Sequence, residues 1–584
     1  MHMGDHHNRN QNRTAQSVVA YFSMEVGIDA SLPTYAGGLG VLAGDTLRAA
    51  ADSCVPMIGI TLLHRKGYFR QQLDSNGNQS ESPSEWSPEK LLESIKGRAA
   101  VTIEGRTIEI RAWRYIVQGI SGNVVPVYFL DTFLPDNSNW DQTITDHLYG
   151  GDEHYRLCQE VVLGMGGIAM LRALGYREIQ SYHMNEGHSA LLTLALLEEY
   201  SERSGSPAPT ELEREAVRRQ CVFTTHTIVV TGYDKFPLGM VRQVLGEERA
   251  NVLIPADCCT DGMLSVNSLA FCLSHYINGV AMRHGQIARD LFPKYSIDSI
   301  TNGIHAATWT SVPFQRLYDR YIPEWRSDNL YLRYAISIPL EEILQAHAET
   351  KRDLLAEIER RTGTHLDPTV MTIGFARRAA TYKRADLLLS DPDRLRRIVH
   401  QVGPLQIIYG GKAHPRDEPG KALIRSVFEV ATDMRDIAPI LYLEDYDMAL
   451  ARYLCAGVDL WVNTPQKPQE ASGTSGMKAA VNGVPSLSVL DGWWIEGHLE
   501  GITGWSIGDS WQVPSNSTTE AASLYEKLEY LILPTFYKRP NSFAEIMRSA
   551  ITLNGSFFTA QRMVFQYVRN AYQLDRDVLP PQTE

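Results

Sequence analysis

The sequence predicts an α/β fold built from two doubly wound parallel sheets, because short apolar runs alternate with helix-length stretches over most of its length. In the second half, the predicted strands lie at 370–374, 405–409, 440–443, 458–462 and 486–490. In the first half, similar runs lie at 18–22, 57–63, 125–130, 179–183 and 221–225, with longer insertions between them. This repeated cycle of strand, loop and helix is typical of parallel sheets covered by helices.

The chain length predicts more than one domain, since a single hydrophobic core stops growing well below 584 residues. We place a first α/β domain at 17–310 and a second at 311–555, because Pro313 and Pro323 interrupt the pattern there. The C-terminal region has helical periodicity without a strand, and we expect residues 556–584 to cross back to the first domain. Residues 1–16 are polar and predict a disordered leader.

The composition limits the classes of molecule that the protein is expected to bind. With a net charge of −13, the chain lacks the basic surface that nucleic acids require. No apolar run reaches the roughly 18 residues that span a bilayer, so we expect a cytoplasmic protein without a membrane partner. The seven cysteines show no CxxC spacing, which argues against a disulfide scaffold or a zinc site, and Cys258 and Cys259 are given no role.

The segment from Glu470 to Lys478 is the most informative part of the chain. Its small residues lie between a predicted strand and a helix-compatible run, 477–482, and a helix start can bind anions through its backbone N–H groups. Lys478 follows one turn inside that helix among apolar neighbours, where desolvation favours a neutral amine. Such an amine is typical of a lysine that forms a Schiff base.

Two pairs of basic residues follow the predicted strand 370–374. They are Arg377 with Arg378, and Lys383 with Arg384. At the carboxyl end of a parallel strand, such side chains would point into a ligand crevice, and arginine suits phosphate. The alternative is an exposed basic start of a helix.

A glycine-rich segment, Gly37-Gly38-Leu39-Gly40, opens a predicted helix with bare backbone and could form a second anion cradle. It lacks the lysine of a P-loop and the spacing of a dinucleotide fingerprint. These residues therefore do not support ATP or NAD as a ligand.

Two histidine segments, 183–188 and 224–227, follow strands in the first half. His183 and His188 are five residues apart across a glycine, which does not fit the usual metal spacing on a helix. We therefore predict no metal and expect histidines that form hydrogen bonds.

Three further strand-end loops, 301–304, 410–413 and 445–446, would converge on the same cleft. For the tryptophans Trp493, Trp494 and Trp505, stacking on sugars and core packing both remain open.

Together these segments resemble the α-glucan phosphorylases that act on glycogen, starch and maltodextrin, in the short, unregulated form of the bacterial type. The resemblance covers roughly residues 17 to 570 and keeps the family's order of motifs. It implies the architecture of two Rossmann-like domains facing a cleft, called GT-B, with C-terminal helices packing back. It also implies pyridoxal 5′-phosphate as the cofactor and a general acid/base role for it.

The resemblance carries roles onto matching residues. Lys478 would form the Schiff base, Thr474, Ser475 and Arg377 would hold the cofactor's phosphate, and Tyr446 would lie near it. Arg378 and Lys383, with the amides around Gly37, Gly38 and Leu39, would bind inorganic phosphate. Glu470, Ser472, Gly473, Asn302 and His226 would contact the terminal glucosyl unit, with Asn185 to His188 behind it. The implied catalytic residues are Lys478, Arg378, Lys383, His226 and Glu470.

The implied reaction transfers the terminal glucosyl unit of an α-1,4-glucan to inorganic phosphate and gives α-glucose 1-phosphate with retention. A nucleotide-sugar-dependent glucan synthase of the same fold and an inactive carbohydrate-binding homologue are the alternatives. The chain departs from the long animal and plant enzymes at Ala380-Thr381 and at Ser475-Gly476. It is also shorter, so we expect no AMP activation, and a homodimer remains an expectation of the resemblance.

Overall fold

The computed structural model describes residues 18–228, 233–253, 258–572 and 574. The predicted leader, 1–16, lies outside the described residues, as does most of the chain after Tyr572. We refer to residues 18–310 as the first half and to residues 311–574 as the second half.

The strands in the described residues belong to two large sheets and two small ones. They are β1 (Val19–Ser23), β2 (Met57–Leu62), β3 (Arg70–Leu73), β4 (Gln79–Ser82), β5 (Glu93–Ile103), β6 (Arg106–Gln118), β7 (Val124–Asp131), β8 (Ser181–Asn185), β9 (Cys221–Thr224), β10 (Lys235–Pro237), β11 (Cys259–Thr260), β12 (Met263–Ser265), β13 (Tyr276–Gly279), β14 (Asp298–Ser299), β15 (Met371–Ala376), β16 (Leu405–Gly410), β17 (Ile440–Leu443), β18 (Leu460–Asn463), β19 (Ser486–Val489) and β20 (Gly504–Ile507).

The α-helices cover the sheets and link the strands. They are α1 (Gly38–Asp52), α2 (Pro88–Leu91), α3 (Glu153–Val161), α4 (Gly167–Ala173), α5 (Leu192–Ser204), α6 (Glu211–Gln220), α7 (Leu238–Leu245), α8 (Glu247–Leu253), α9 (Val266–Cys272), α10 (Met282–Leu291), α11 (Ala306–Trp309), α12 (Val312–Tyr321), α13 (Leu340–Thr362), α14 (Pro392–Gln401), α15 (Glu418–Asp433), α16 (Met448–Gly457), α17 (Ser475–Ala480), α18 (Trp494–Gly497), α19 (Ser517–Glu526), α20 (Leu533–Lys538), α21 (Pro540–Ser549) and α22 (Ala560–Asn570).

The first large sheet has the strand order β14-β13-β9-β8-β1-β2-β7-β6-β5. Its strands are parallel except at one edge, where β6 pairs antiparallel with both β7 and β5. Strand β1 lies between β2 and β8, so the chain reverses its direction of winding at the β1–β8 pair. Side chains that follow these two strands therefore meet at a crevice where ligands commonly bind.

The second large sheet is wholly parallel, with the order β17-β16-β15-β18-β19-β20. Its winding reverses between β15 and β18. Strands β15 and β16 are buried along their whole length, which explains why they have continuous apolar runs rather than alternating ones. The prediction of a mixed α/β fold with large parallel sheets is confirmed.

All ten predicted strands are present, with ends shifted by one or two residues. The prediction did not include the antiparallel pair β5 and β6, because polar and partly exposed side chains interrupt their apolar ones. It also missed the short strands β13, β14 and β20, which have only two to four residues. Short strands are stabilised by their neighbours in the sheet rather than by local sequence.

The C-terminal helix α22 joins the second half to the first. Its buried apolar residues share a hydrophobic cluster with β1 and α1. The phenol of Tyr572 lies 2.7 Å from His183 Nδ1, and Thr224 Oγ1 lies 2.8 Å from His183 Nε2 and 3.0 Å from the Tyr567 hydroxyl. His183 is therefore a satisfied structural residue, as expected for a histidine that forms hydrogen bonds.

The tryptophans Trp493, Trp494 and Trp505 are buried in the core of the second half. These three tryptophans therefore pack in the core and do not form an exposed surface for stacking on sugars. None of the helices in the described part of the chain is both long and apolar enough to cross a membrane.

Candidate active site

The glycine-rich segment begins helix α1 beside the end of strand β1. The Glu25 carboxylate accepts hydrogen bonds from the backbone N–H groups of Ala36, at 2.5 Å, and Gly37, at 3.2 Å. A Cβ atom built on Gly37 or Gly38 would meet no atom within 4 Å. The loop is thus anchored from behind by a buried carboxylate and open in front, which fits a backbone cradle for a ligand.

Strands β8 and β9 place Asn185 and His226 next to each other. The distance from His226 Nε2 to Asn185 Oδ1 is 2.6 Å, and the backbone N–H of His226 donates to Glu186 at 2.8 Å. Burial, reinforced by nearby histidines, lowers the pKa of His226 to about 3, so the ring is neutral at physiological pH. Because an amide oxygen only accepts, Nε2 is assigned the proton and Nδ1 remains an acceptor.

His188 is close enough to His226 to interact with it electrostatically. Its Nε2 atom is 3.4 Å from the Asp234 carboxylate, and its ring centroid is 5.7 Å from that of Tyr149. The Tyr149 hydroxyl donates to Glu25 at 3.0 Å. The histidine segment and the glycine-rich segment are therefore connected through a tyrosine that sequence reasoning did not identify.

Several buried polar atoms in this region lack a hydrogen-bond partner among the described residues. They include Asn302 Oδ1, Thr225 Oγ1 and Ser472 Oγ. Unpaired buried polar atoms are rare in native proteins and indicate a missing ligand or water. Asn302 and Ser472 are residues that the sequence assigned to the sugar.

The second sheet supplies a cluster of charges centred on Glu470. The Glu470 Oε2 atom lies 2.8 Å from Arg377 Nη1 and 2.5 Å from Lys383 Nζ. Burial alone would raise the pKa of Glu470, but Arg377 and Lys383 outweigh it and lower the pKa to about 2. The carboxylate therefore stays ionised, and it neutralises part of the positive charge of its two partners.

Arg378 differs from its neighbours because no carboxylate among the described residues lies within 4 Å of its guanidinium group. It is exposed and donates to the Tyr382 hydroxyl at 3.3 Å. Tyr68 and Tyr149 of the first half are close enough to interact electrostatically with it. Arg378 is thus a cation without a carboxylate partner that faces the glycine-rich side of the molecule.

Lys478 is buried, and its Nζ atom lies 3.8 Å above the ring of Trp309. The indole N–H of Trp309 donates to Asp45 at 2.8 Å. Burial lowers the pKa of Lys478, although Asp45 and Cys455 oppose this effect. No described residue accepts a hydrogen bond from the amine, so Lys478 combines burial with a weakened basicity, as predicted from its apolar neighbours.

The residues before Lys478 shape the approach to it. Gly473 has a φ of 80°, and a Cβ atom there would lie 3.2 Å from Glu470 Oε1. A Cβ atom on Gly476 would lie 2.7 Å from Trp493. Thr474 precedes α17, and Ser475 Oγ accepts from the indole N–H of Trp461 at 3.1 Å. Gly473 and Gly476 are therefore required by the close packing around them, in addition to any space that a ligand needs.

Pyridoxal 5′-phosphate fits the residues present. Its aldehyde needs an amine that can lose its proton, and Lys478 is buried with a lowered pKa. Its phosphate needs cations and hydrogen-bond donors. Thr474 and Ser475 precede Lys478, and Arg377 Nη2 lies 3.3 Å from the position of a Cβ atom on the adjacent Gly473. The ring of Tyr446 lies 3.3 Å from the position that a Cβ atom on Gly410 would take. The carbonyl oxygen of Gly410 accepts a hydrogen bond from the backbone N–H of Arg377, so Tyr446 lies next to the segment that carries this arginine. In the described parts of the chain, no group of three or more His, Cys, Asp and Glu residues could hold a metal.

Some residues of this region carry no sequence motif. Glu25 could have been found, since it follows the end of β1 much as Arg377 follows β15, while Asn185 is the last residue of β8. Tyr149 lies in the loop before α3 and Trp309 ends α11; their places depend on the tertiary fold, and no local signal marks them.

The parallel sheets and their strand-end residues define an α/β protein whose site combines a buried amine, a cluster of cations and neutral hydrogen-bonding groups. The family described as carbohydrate phosphorylase matches residues 247–502. The chain is 39% identical to the maltodextrin phosphorylase of Thermococcus litoralis, over 95% of this chain and 70% of that protein. It is 35% identical to the glycogen phosphorylase of Mycobacterium tuberculosis, over 95% and 70%, and 33% identical to that of Aquifex aeolicus, over 96% and 86%. The chain belongs to the carbohydrate phosphorylase family.

Proposed function

We propose that this protein is an α-glucan phosphorylase that transfers the terminal glucosyl unit of an α-1,4-glucan to inorganic phosphate. The observation that carries the proposal is Lys478, a buried amine from which no described residue accepts a hydrogen bond, in the same segment as Gly473, whose Cβ position lies 3.3 Å from Arg377 Nη2. The family membership agrees with this reaction. A nucleotide-sugar synthase would not need such an amine, and an inactive homologue would not need to keep the cations.

The architecture in this proposal is GT-B, with domains at 17–310 and 311–555 and the segment 556–584 crossing back. The reversal of winding in both sheets and the packing of α22 on α1 support it. In such an arrangement, the carboxyl ends of the two sheets face each other and enclose the substrate.

Lys478, Thr474, Ser475, Arg377 and Tyr446 would hold pyridoxal 5′-phosphate. When bound, the cofactor supplies a phosphate monoester whose second pKa is near 6, suited to proton exchange with inorganic phosphate. Arg377 offsets the repulsion between two neighbouring phosphates, which would be severe in a dry site.

Arg378 and Lys383, with the N–H groups around Gly37, Gly38 and Leu39, bind inorganic phosphate in this proposal. Arg378 is suited to this role because it has no carboxylate partner among the described residues. The bound phosphate donates its proton to the glycosidic oxygen, the C1–O bond to the glucan breaks, and a phosphate oxygen bonds to C1 on the same face. The product is α-glucose 1-phosphate with retention.

The terminal glucosyl unit lies between neutral groups of the first half and Glu470. Asn302 Oδ1 and Ser472 Oγ have no partner in the described structure and would accept or donate to sugar hydroxyls. Asn185 holds His226 in a fixed orientation, leaving Nδ1 as an acceptor. Glu470 uses Oε2 for Arg377 and Lys383, so Oε1 remains for a hydroxyl, and Gly473 leaves room beside it.

The decisive experiment measures glucose 1-phosphate released from maltoheptaose in phosphate buffer by the holoenzyme. We expect release that depends on both substrates, and glucan extension from glucose 1-phosphate in the reverse direction. A holoenzyme with bound cofactor that acts on no α-glucan would contradict the proposal. Binding of ADP-glucose without a near-ultraviolet cofactor band would favour the synthase instead.

A further inference from the structure

A two-stranded arm of the first half reaches onto the second half. The arm comprises β3, β4 and their turn, residues 70–82. At its tip, a Cβ atom on Gly77 would lie 2.5 Å from the ring of Phe428. Glu81 forms an ion pair with Lys421 at 3.0 Å. The arm is therefore an interface between the halves that lies outside the residues assigned to substrate or cofactor.

Gln71 is the most deeply inserted polar residue of the arm, with 1% of its surface exposed. Its Nε2 group donates to the carbonyl oxygen of Gly411 at 3.0 Å, and its Oε1 atom accepts from the backbone N–H of Asp445 at 2.9 Å. Its own backbone N–H donates to the Asp445 carboxylate at 3.1 Å. One side chain thus joins the loops that follow β16 and β17.

The loop after β16 is bound to the segment that carries the cations. The backbone N–H of Arg377 donates to the Gly410 carbonyl at 3.0 Å, and that of Ala379 donates to the Lys412 carbonyl at 2.9 Å. Gly411 has a φ of 136°, and a Cβ atom there would lie 1.8 Å from the Arg377 carbonyl oxygen. Because these backbones are in direct contact, a displacement of Gly411 must displace Arg377 and Arg378.

The loop after β17 is held in the same way. Asp445 has a φ of 54°, a left-handed conformation that a non-glycine residue adopts only when its surroundings impose it. Lys412 Nζ lies 2.6 Å from the Asp445 carboxylate and donates to the Phe69 carbonyl at 2.9 Å. The next residue, Tyr446, lies beside Gly410. The arm therefore braces both loops behind the cation segment.

We propose that Gln71 is a positioning residue that sets the place of Arg377 and Arg378 from the opposite half of the molecule. The inference rests on the proposed function in so far as those arginines bind phosphates. Docking of the arm would align the cations with the glycine-rich segment, which belongs to the same half as Gln71. The affinity for phosphate would thus depend on correct contact between the two halves.

A simpler role would be adhesion, in which Gln71 contributes only to the stability of the interface. The two roles differ in what they change. Adhesion predicts that Gln71 and Lys421 behave alike, since both connect the arm to the second half. Positioning predicts an effect on the cation segment for Gln71 alone, because Lys421 contacts neither Gly411 nor Asp445 in the described structure.

The test compares the holoenzyme variants Gln71→Met and Lys421→Met, which both keep an unbranched stem and lose the polar group. Amide hydrogen exchange is followed in peptides covering 377–379 and 410–413, and initial rates are measured against phosphate. For Gln71→Met, we expect faster exchange in both peptides and a KM for phosphate raised about five- to thirtyfold, with kcat changed much less. Lys421→Met should leave both quantities at the wild-type values.

Unchanged exchange and KM in Gln71→Met, or equal changes in the two variants, would overturn the positioning role. If Gln71→Met does not fold, Gln71→Glu is measured in its place, since it keeps an acceptor for Asp445 and loses the donor to Gly411. The exchange measurement needs no turnover. A wild-type enzyme without phosphorolysis would therefore refute the proposed function, while the exchange data would still decide the role of Gln71.

Discussion

The strand-end segments of the two large sheets differ in the chemistry that they present, and we call that of the first sheet the neutral edge and that of the second sheet the charged edge. The first sheet contributes neutral hydrogen-bonding groups, chiefly Asn185, His226 and Asn302, whereas the segments after the second sheet contribute Arg377, Arg378, Lys383 and Lys478. Neutral groups recognise sugar hydroxyls at little electrostatic cost, and cations hold phosphates. Under the proposed function, the first half would bind the sugar and the second half the phosphates, so catalysis would require both.

The two edges also control protonation differently. Burial lowers the pKa of His226 to about 3, whereas Arg377 and Lys383 lower that of Glu470 to about 2. Near neutral pH, the histidine is uncharged and the glutamate is ionised. His226 and Glu470 therefore keep their charge where phosphate itself titrates, and the proton that moves can belong to a phosphate.

The largest effect should come from the amine of the charged edge. We expect Lys478→Ala to lose the cofactor on dialysis and to show no detectable phosphorolysis, because no other described residue offers a buried amine at this position. The measurement is the near-ultraviolet absorbance of the dialysed protein, together with its activity. Asn302→Ala, on the neutral edge, is the matched variant and should keep the band. A Lys478→Ala enzyme with full activity would refute the assigned role.

A smaller effect should follow from removing the cation without a carboxylate partner. Arg378→Ala should keep the cofactor but weaken the apparent affinity for phosphate by about tenfold to a hundredfold, since a charge-assisted hydrogen bond is worth roughly 1.5–3 kcal/mol. Initial rates at varied phosphate concentration test this. Arg396→Ala, which removes an arginine bound to Asp393 and Asp433 on the periphery, is the control. Equal phosphate dependence in both variants would contradict the assignment.

The neutral edge should show the complementary pattern. Asn302→Ala removes an amide oxygen that has no partner in the described structure, and we expect the KM for maltoheptaose to rise about two- to tenfold with the KM for phosphate unchanged. Measuring both KM values for Asn302→Ala and Arg378→Ala gives a direct comparison of the edges. If each variant altered both values equally, the division between sugar and phosphate would be wrong.

The sequence predicted the charged edge better than the neutral one. Arg377 directly follows a strand whose continuous apolar run marks it clearly, so its place at a strand end followed directly, and Lys478 lies in α17, the helix that follows β18. The burial of Lys478 was predicted from Met477 and Ala479. The ion pairs of Glu470 with Arg377 and Lys383 were not predicted, since they join residues about ninety positions apart.

The contacts between the halves were the least predictable part of the structure. Gln71 contacts Gly411 and Asp445 across more than 300 residues, and its arm has a mixed burial pattern that gives no strong strand signal. Such contacts depend on how two folded surfaces meet, and local periodicity contains no information about that. The same limit applies to Trp309, which lies at the boundary between the halves and shelters Lys478.

The charged edge also contains an acid whose ionisation should affect stability. Asp491 accepts hydrogen bonds from the backbone N–H groups of Glu470 and Gly492, and burial raises its pKa to about 7. The folded protein therefore holds a proton that the unfolded chain loses near pH 4. The contribution of Asp491 to stability is full below pH 4 and falls as the pH rises towards 7, by at most about 1.4 kcal/mol per pH unit.

Asp491→Asn should remove this dependence. Since asparagine can accept only one of the two hydrogen bonds without a rearrangement, we expect the variant to be less stable than the wild type at pH 5 and to recover that deficit by pH 8. Urea unfolding of both proteins at several pH values measures the difference. Glu357→Gln is a suitable control because hydrogen bonds from Arg360 and Arg361, which stay charged over this range, lower the pKa of Glu357 to about 2, so the stability difference should not vary between pH 5 and 8. A constant difference for Asp491→Asn over this range would show that Asp491 is already ionised at pH 5. The charged edge would then carry one more negative charge than we assign to it.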